Sequence, residues 1–265
     1  MSHSEQPIDA LKLDPVSGQD SILAALSARP QDWALFLDID GTLLDLAETP
    51  DAIIVPTDLP ASLYALSQKL GGALALVTGR GLSYADRLFA PYRFPIAGLH
   101  GAERRDPDGT IRRAEATPAF EDVKRRLAAE TAGWEGVVIE DKGAAVAAHF
   151  RLAPERQLEL EPLMEDCLAA AGPSWTLQHG KMVIEIRPSS ADKGHAVESF
   201  LGQPVFTGRR PIAIGDDVTD EAMFQIVNRL GGHSIRVGPA SAGTVATSAL
   251  PSAARLRAMI AGLGA

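Results

Sequence analysis

From Trp33 onward the chain alternates short apolar runs with amphipathic stretches of helical length, and no other feature restricts its fold as tightly. Apolar runs at 33–39, 73–78 and 95–99 enclose helical patterns near 58–70 and 82–89. The rhythm resumes later as helix 192–201, strand 211–215, helix 219–229, strand 233–237 and helix 251–262. Strands that read as continuous apolar runs, each followed by a helix, call for a parallel sheet covered on both faces. The expected fold class is therefore α/β, a doubly wound, Rossmann-like parallel sheet.

Between residues 103 and 187 the period changes. "RRDPDGTIRR" is a hairpin signal, because Asp-Pro-Asp-Gly supplies turn geometry. Helix 119–131 follows, and two strand-turn-strand patterns, "GVVIEDKGAAVAAHFR" and "SWTLQHGKMVIEIRP", flank helix 154–171. Such a mixture makes an α+β unit inserted into the core. The predicted organisation is a polar N-terminal extension over 1–30 with a helix at 20–28, a core formed by 31–102 and 188–265, and an inserted unit over 103–187.

Composition narrows the function. With 265 residues and 46% hydrophobic content the chain can bury a sizeable core. A net charge of −9 opposes binding to nucleic acid and to anionic membrane surfaces. No apolar run reaches the roughly 20 residues of a membrane helix, and a cytoplasmic location is expected. The single cysteine, Cys167, excludes an internal disulfide and a thiolate cluster, and it reads as a free thiol in a helix. A small-molecule substrate is the expected partner, with a monomer plausible.

In an open parallel sheet, ligands bind beyond the carboxyl ends of the strands. Polar clusters fall at four such ends: Asp38 and Asp40, then Thr78-Gly79-Arg80, then His100-Gly101, then Asp216-Asp217. Each alone reads as an ordinary turn or cap. Four together point to a site. Gly41 lets the chain turn at once, so Asp38 and Asp40 can lean into one pocket. Adding Asp216 assembles the hard oxygen ligands that magnesium prefers, with room for water and a phosphate. An EF-hand reading of Asp-x-Asp-Gly fails, because the glycine comes too early and no Glu stands at the twelfth position. Lys193, at the first turn of a helix, and the Thr78 hydroxyl supply the cation and donor that a phosphate needs.

"DIDGT", "LVTGR", "DKG" and "GDDVTDEAMF", in that order, resemble the four motifs of the haloacid dehalogenase superfamily of phosphohydrolases. With "GLHGAERR", "EDKGAAVAAHFR" and "GKMVIEIRP", they look more narrowly like the trehalose-6-phosphate phosphatases. The resemblance implies a haloacid-dehalogenase core with an inserted α+β cap domain. It implies magnesium-dependent hydrolysis of trehalose 6-phosphate through an aspartyl-phosphate. Asp38 would be the nucleophile and Asp40 the general acid and base, with Thr78 and Lys193 on the phosphoryl group. Mg2+ would bind Asp38, the Asp40 carbonyl and Asp216, with Asp217 and Asp220 in or behind the ligand set. Thr78 replaces a common Ser, and Asp45 stands where proline is frequent. Neither exchange disturbs the chemistry.

Specificity for a sugar then falls to the cap. Glu140 and Lys142 share one face at spacing two, as do Lys181, Glu185 and Arg187 opposite Met182, Ile184 and Ile186. In the family, the positions matching Glu140, Lys142 and Glu185 bind the hydroxyls of the disaccharide. The predicted substrate-binding set is Gly79, Arg80, His100, Gly101, Arg104, Glu140, Lys142, Lys181 and Glu185, with His149 read as a packed strand residue. A phosphatase for another sugar phosphate, such as sucrose 6-phosphate, and a non-catalytic sugar-phosphate-binding module are the alternatives. The presence of Asp38, Asp40, Thr78, Lys193 and Asp216 argues against the latter.

Overall fold

The computed structural model describes residues 25–46, 53–180, 182–239 and 243–264. Its larger sheet has eight strands: β1 (Trp33–Leu37), β2 (Leu74–Val77), β3 (Ile96–Gly98), β4 (Glu103–Arg105), β5 (Ile111–Arg113), β10 (Arg210–Gly215), β11 (His233–Val237) and β12 (Ser248–Leu250). Their order is β12-β11-β10-β1-β2-β3-β4-β5. All pairs from β12 to β3 are parallel. Every residue of β1 and β2 is buried. Since successive side chains point to opposite faces, helices must cover both. Helix α1 (Leu59–Lys69) packs with α7 (Ala253–Gly264), and α5 (Lys193–Leu201) packs with α6 (Glu221–Arg229). Their buried residues join those of the strands in one core that includes Phe36, Leu63, Phe200, Phe224 and Ile260. A short helix α2 (Leu82–Leu88) connects β2 to β3.

The smaller sheet is antiparallel, in the order β6 (Val138–Asp141), β7 (Val146–His149), β9 (Val183–Pro188), β8 (Trp175–Gly180). Helices α3 (Pro118–Thr131) and α4 (Gln157–Ala171) close one face. Phe120, Leu127, Leu160, Met164 and Cys167 meet Val146, Ala148, Ile184 and Ile186 there in a second core. Thr117 caps α3 by accepting a hydrogen bond from the Phe120 N–H. Cys167 is free and buried.

The elements follow the order expected from the sequence, with two differences. The hairpin expected in the inserted unit pairs with β3 through Ile96–Arg105 and Gly98–Glu103, and extends the large sheet as its antiparallel edge. Turn chemistry specifies a hairpin but not its partner. What attaches it to the core is Arg105, whose guanidinium donates to both Asp86 carboxylate oxygens, at 2.9 and 2.7 Å, and to the Phe94 carbonyl. We propose that the inserted unit begins after Arg113. Strand β12 is not foreseen, since three residues carry no period. Of the predicted helix 20–28, residues 25–28 are helical and the rest lies outside the described residues.

Candidate active site

Strand order decides which sequence motifs meet. β1 lies between β10 and β2, so Asp38, Asp216 and Thr78 follow three adjacent parallel strands at their carboxyl ends. The Asp38 N–H continues the ladder by donating to the Ile214 carbonyl at 3.0 Å. Gly41 turns the chain at φ +80°, and a Cβ placed there would stand 2.1 Å from Asp216 Oδ2. Only glycine lets Asp216 approach the loop that carries both acids.

One oxygen from each of Asp38, Asp216 and Asp220 lies within 4.8 Å of the others. Lys193 Nζ donates to Asp38 Oδ1 at 2.7 Å and to Asp220 Oδ1 at 2.6 Å, all three groups being buried. Burial alone would lower the Lys193 pKa, but the charges of Asp38 and Asp220 raise it above its ordinary value. The ammonium stays charged. Removing Lys193 would leave two buried carboxylates without their counter-charge, a loss of about 3–5 kcal/mol. Asp192 caps the helix that Lys193 opens, accepting from the His195 N–H at 2.9 Å, and so sets the lysine's direction.

Asp220 is fully buried, and its Oδ2 accepts from the Asp216 and Asp217 N–H groups at 2.8 and 2.9 Å. It thereby shapes the loop after β10 while its other oxygen accepts from Lys193. Asp217 is exposed and caps the turn at Val218–Asp220, outside the group of three. Burial first, then neighbouring carboxylates, push Asp38 and Asp216 above the usual carboxylate range, against the pull of Lys193 and of the Thr42 hydroxyl. Clustered oxygen donors that resist ionising together fit a divalent cation, which removes their mutual repulsion. Thr42, buried and donating to Asp216 Oδ1 at 3.0 Å, is absent from the expected set, although it follows Gly41 directly.

Asp40 is held differently. Arg80 donates to both of its oxygens, Nε to Oδ2 at 2.8 Å and Nη2 to Oδ1 at 2.9 Å, while its guanidinium lies 4.8 Å from the Tyr84 ring centroid. This ion pair ties the second motif to the first, and within the second motif the Arg80 N–H donates to the Thr78 hydroxyl at 3.1 Å. The next loop is bonded to the same segment: His100 N–H to the Thr78 carbonyl at 2.9 Å, Leu99 N–H to the Arg80 carbonyl at 3.0 Å. Leu99 and His100 adopt positive φ, 49° and 56°, ahead of Gly101 at 110°. Left-handed backbone at non-glycine residues costs about 1–2 kcal/mol each and persists where neighbours impose it. A Cβ at Gly79 would lie 2.8 Å from His100 Nε2, so Gly79 is what allows the imidazole in.

The polar face of the smaller sheet carries the remaining expected residues. Lys142 Nζ donates to Glu185 Oε2 at 3.1 Å and lies 4.0 Å from Glu140. Ala147, between Glu140 and Glu185 in register, is small enough to leave these longer side chains room. The His149 ring, expected to be packed, shares a 2.8 Å hydrogen bond with Glu140, because β6 and β7 carry both residues to one edge. Arg104 does not join the set: its guanidinium bonds Asp106 at 2.7 Å and lies over Phe200. Alternation along β4 turns it away from Glu103, which accepts from the Leu82 N–H. Lys181 lies outside the described residues. A cleft of about 580 Å³ between the hairpin and the cap is lined by Leu99, Glu103, Arg113 and Lys142 among others.

Residues 36–255 match the profile of the trehalose-phosphatase family. The chain belongs to that family. It is 69% identical over 246 residues to a probable trehalose-phosphate phosphatase of Sinorhizobium fredii, covering 93% of this chain and 92% of that one. It is 41% identical over 207 residues to the trehalose-6-phosphate phosphatase of Escherichia coli, covering 78% and 77%. Among solved structures it resembles a trehalose-6-phosphate phosphatase related protein, with TM-score 0.68 and 26% identity over 87% of this chain and 96% of that one. The fold is also that of the C-terminal domain of the Candida albicans trehalose-6-phosphate phosphatase, with TM-score 0.72 and 22% identity over 92% and 95%. Like other members of the trehalose-phosphatase family, the chain is an enzyme of the phosphatase class, built on the haloacid-dehalogenase core with a cap. No helix among the described residues is long and apolar enough to cross a membrane.

Proposed function

We propose that this enzyme hydrolyses trehalose 6-phosphate to trehalose and phosphate, with Asp38 as nucleophile and magnesium as the metal. The observation that carries the reading is that two unlike surfaces both reach the loop at 99–101, Lys142 sharing a cleft with Leu99 and the His100 ring lying against Gly79. A buried Asp38–Lys193–Asp220 cluster with Asp216 beside it suits a phosphoryl group, and the cap's Glu140, Lys142 and Glu185 suit sugar hydroxyls.

In this reading an Asp38 oxygen attacks phosphorus, the bond from phosphorus to the sugar oxygen breaks, and an aspartyl-phosphate forms. Asp40 gives its proton to the departing sugar oxygen. It then takes a proton from the water that attacks the aspartyl-phosphate, releasing phosphate and restoring Asp38. Lys193 holds the nucleophile in place and balances charge, while Thr78 supplies a hydroxyl to the phosphoryl oxygens. Asp38, Asp216 and the Asp40 carbonyl would hold Mg2+, with Asp220 orienting the loop behind them. When bound, the ion supplies positive charge against the phosphoryl oxygens and relieves the repulsion among the carboxylates.

The test is a substrate panel. Phosphate release should favour trehalose 6-phosphate over sucrose 6-phosphate and glucose 6-phosphate, cease in excess chelator and return with magnesium. Asp38→Asn should remove turnover while keeping the circular dichroism of the parent. Equal rates on all three sugars would defeat the assigned specificity, and an Asp38→Asn rate within about tenfold of the parent would defeat the covalent step.

A further inference from the structure

The charges of three cations bear on His100: Lys193 from the core, Arg187 and Lys142 from the cap. Two of them are neutralised by bonded carboxylates, Lys193 by Asp38 and Asp220, and Lys142 by Glu185. Arg187 is not. Its Nε and Nη1 are buried and find no acceptor among the described residues. Glu185 and Asp192 are near enough to favour its charge, yet Glu185 bonds Lys142, and Asp192 is occupied by the His195 N–H and ring.

Buried guanidinium N–H groups without an acceptor are costly, and an anion is the partner that the planar fork suits best. Its position limits which anion. Arg187 and Lys193 act on the same imidazole, which lies against Gly79 and belongs to the residue whose N–H bonds the Thr78 carbonyl. Arg187 also stands near the end of the strand that leads through residues 188–192 to Lys193, and this turn packs on Gly101, where a Cβ would lie 3.1 Å from the Asp192 carbonyl oxygen. Its surroundings are therefore those of the proposed phosphoryl site, and the phosphoryl group is the only anionic part of a sugar phosphate. Resting on the reading given under Proposed function, we propose that Arg187 binds the phosphoryl group of the substrate from the cap side, so that one anion joins cap to core. The residue stands on the same strand face as the sugar-reading Glu185 but reads the other end of the substrate.

Binding of inorganic phosphate and, separately, of trehalose to the full chain in magnesium, followed by calorimetry, tests this without turnover. Arg187→Gln should weaken inorganic phosphate binding by about tenfold or more, the loss expected for a charge-assisted hydrogen bond, and leave trehalose binding within about twofold. Arg187→Lys should recover part of it, and it supplies the same comparison if the Gln variant does not fold. In turnover, Arg187→Gln should lower kcat/KM for trehalose 6-phosphate and for p-nitrophenyl phosphate alike. Unchanged phosphate binding with weakened trehalose binding would make Arg187 a sugar contact and overturn the proposal. Equal weakening of both with a lowered melting temperature would make it structural and overturn the proposal as well. If the parent chain released no phosphate from trehalose 6-phosphate, the functional reading would fail, while a selective loss of phosphate binding in Arg187→Gln would still assign the anion contact.

Discussion

Arg80 and Asp40 form a two-pronged ion pair in which both carboxylate oxygens accept from one guanidinium, at 2.8 and 2.9 Å. A general acid needs one oxygen free to carry its proton. With Asp40 as the proposed general acid, delivery to the sugar oxygen would require Arg80 to release one prong, and the arginine would set when and where Asp40 acts. Arg80→Lys keeps a positive charge but loses the fork, and should lower kcat on trehalose 6-phosphate by roughly 10- to 100-fold, part of the 10²–10⁴ that general acid catalysis supplies. p-Nitrophenyl phosphate, whose leaving group needs no proton, should lose much less. Equal losses on both substrates would remove Arg80 from the control of proton transfer.

Gly41 tests the metal end of the site. Gly41→Ala places a methyl group 2.1 Å from the present position of Asp216 Oδ2, in a backbone conformation that alanine resists. Asp216 must move. The magnesium concentration giving half-maximal phosphate release should rise by about 10- to 100-fold, the range for disturbed ligand orientation. An unchanged magnesium requirement would show that Asp216 is not a ligand.

Glu185→Ala separates cap from core. It removes the carboxylate proposed to bind the sugar, which is also the partner of Lys142, without touching the reacting groups. Loss of one hydrogen bond to a charged partner should lower kcat/KM for trehalose 6-phosphate by roughly 10- to 150-fold. Hydrolysis of p-nitrophenyl phosphate, which has no sugar hydroxyls for Glu185 to bind, should change little. The ratio of the two activities is the readout, and a fall in both together would assign Glu185 to folding or to the chemical step.

His100 makes stability depend on pH. Burial first, then the charges of Lys193, Arg187 and Lys142, drive its pKa down to about 3 from an ordinary 6.5. The unfolded chain therefore takes up a proton that the folded chain refuses. This contribution is intact above about pH 6.5 and shrinks as pH falls toward about 3, by on the order of 1 kcal/mol per pH unit. Denaturant titrations of the parent and of His100→Asn should diverge in slope across that window and run parallel above pH 7. Parallel curves throughout would show that His100 protonates freely in the folded state.

Local pattern was enough to specify the kinds of elements and the places where chemistry could sit. Period two and period 3.6 are properties of neighbouring residues, so strands, helices and the polar breaks after them could be read at Asp38, Thr78, His100 and Asp216. The motifs' resemblance added roles that periodicity could not. Which residues meet was left to the folded chain, because those contacts join positions far apart. Asp38 reaches Lys193 across 155 positions, and Thr42 reaches Asp216 across 174. The same long-range packing moved the 103–113 hairpin onto the core sheet, turned Arg104 toward Asp106, gave Asp40 to Arg80 and left Arg187 without an acceptor among the described residues. A local pattern says which face of a strand a side chain occupies, but what stands opposite that face is set by which strands hydrogen-bond and which cores bury together.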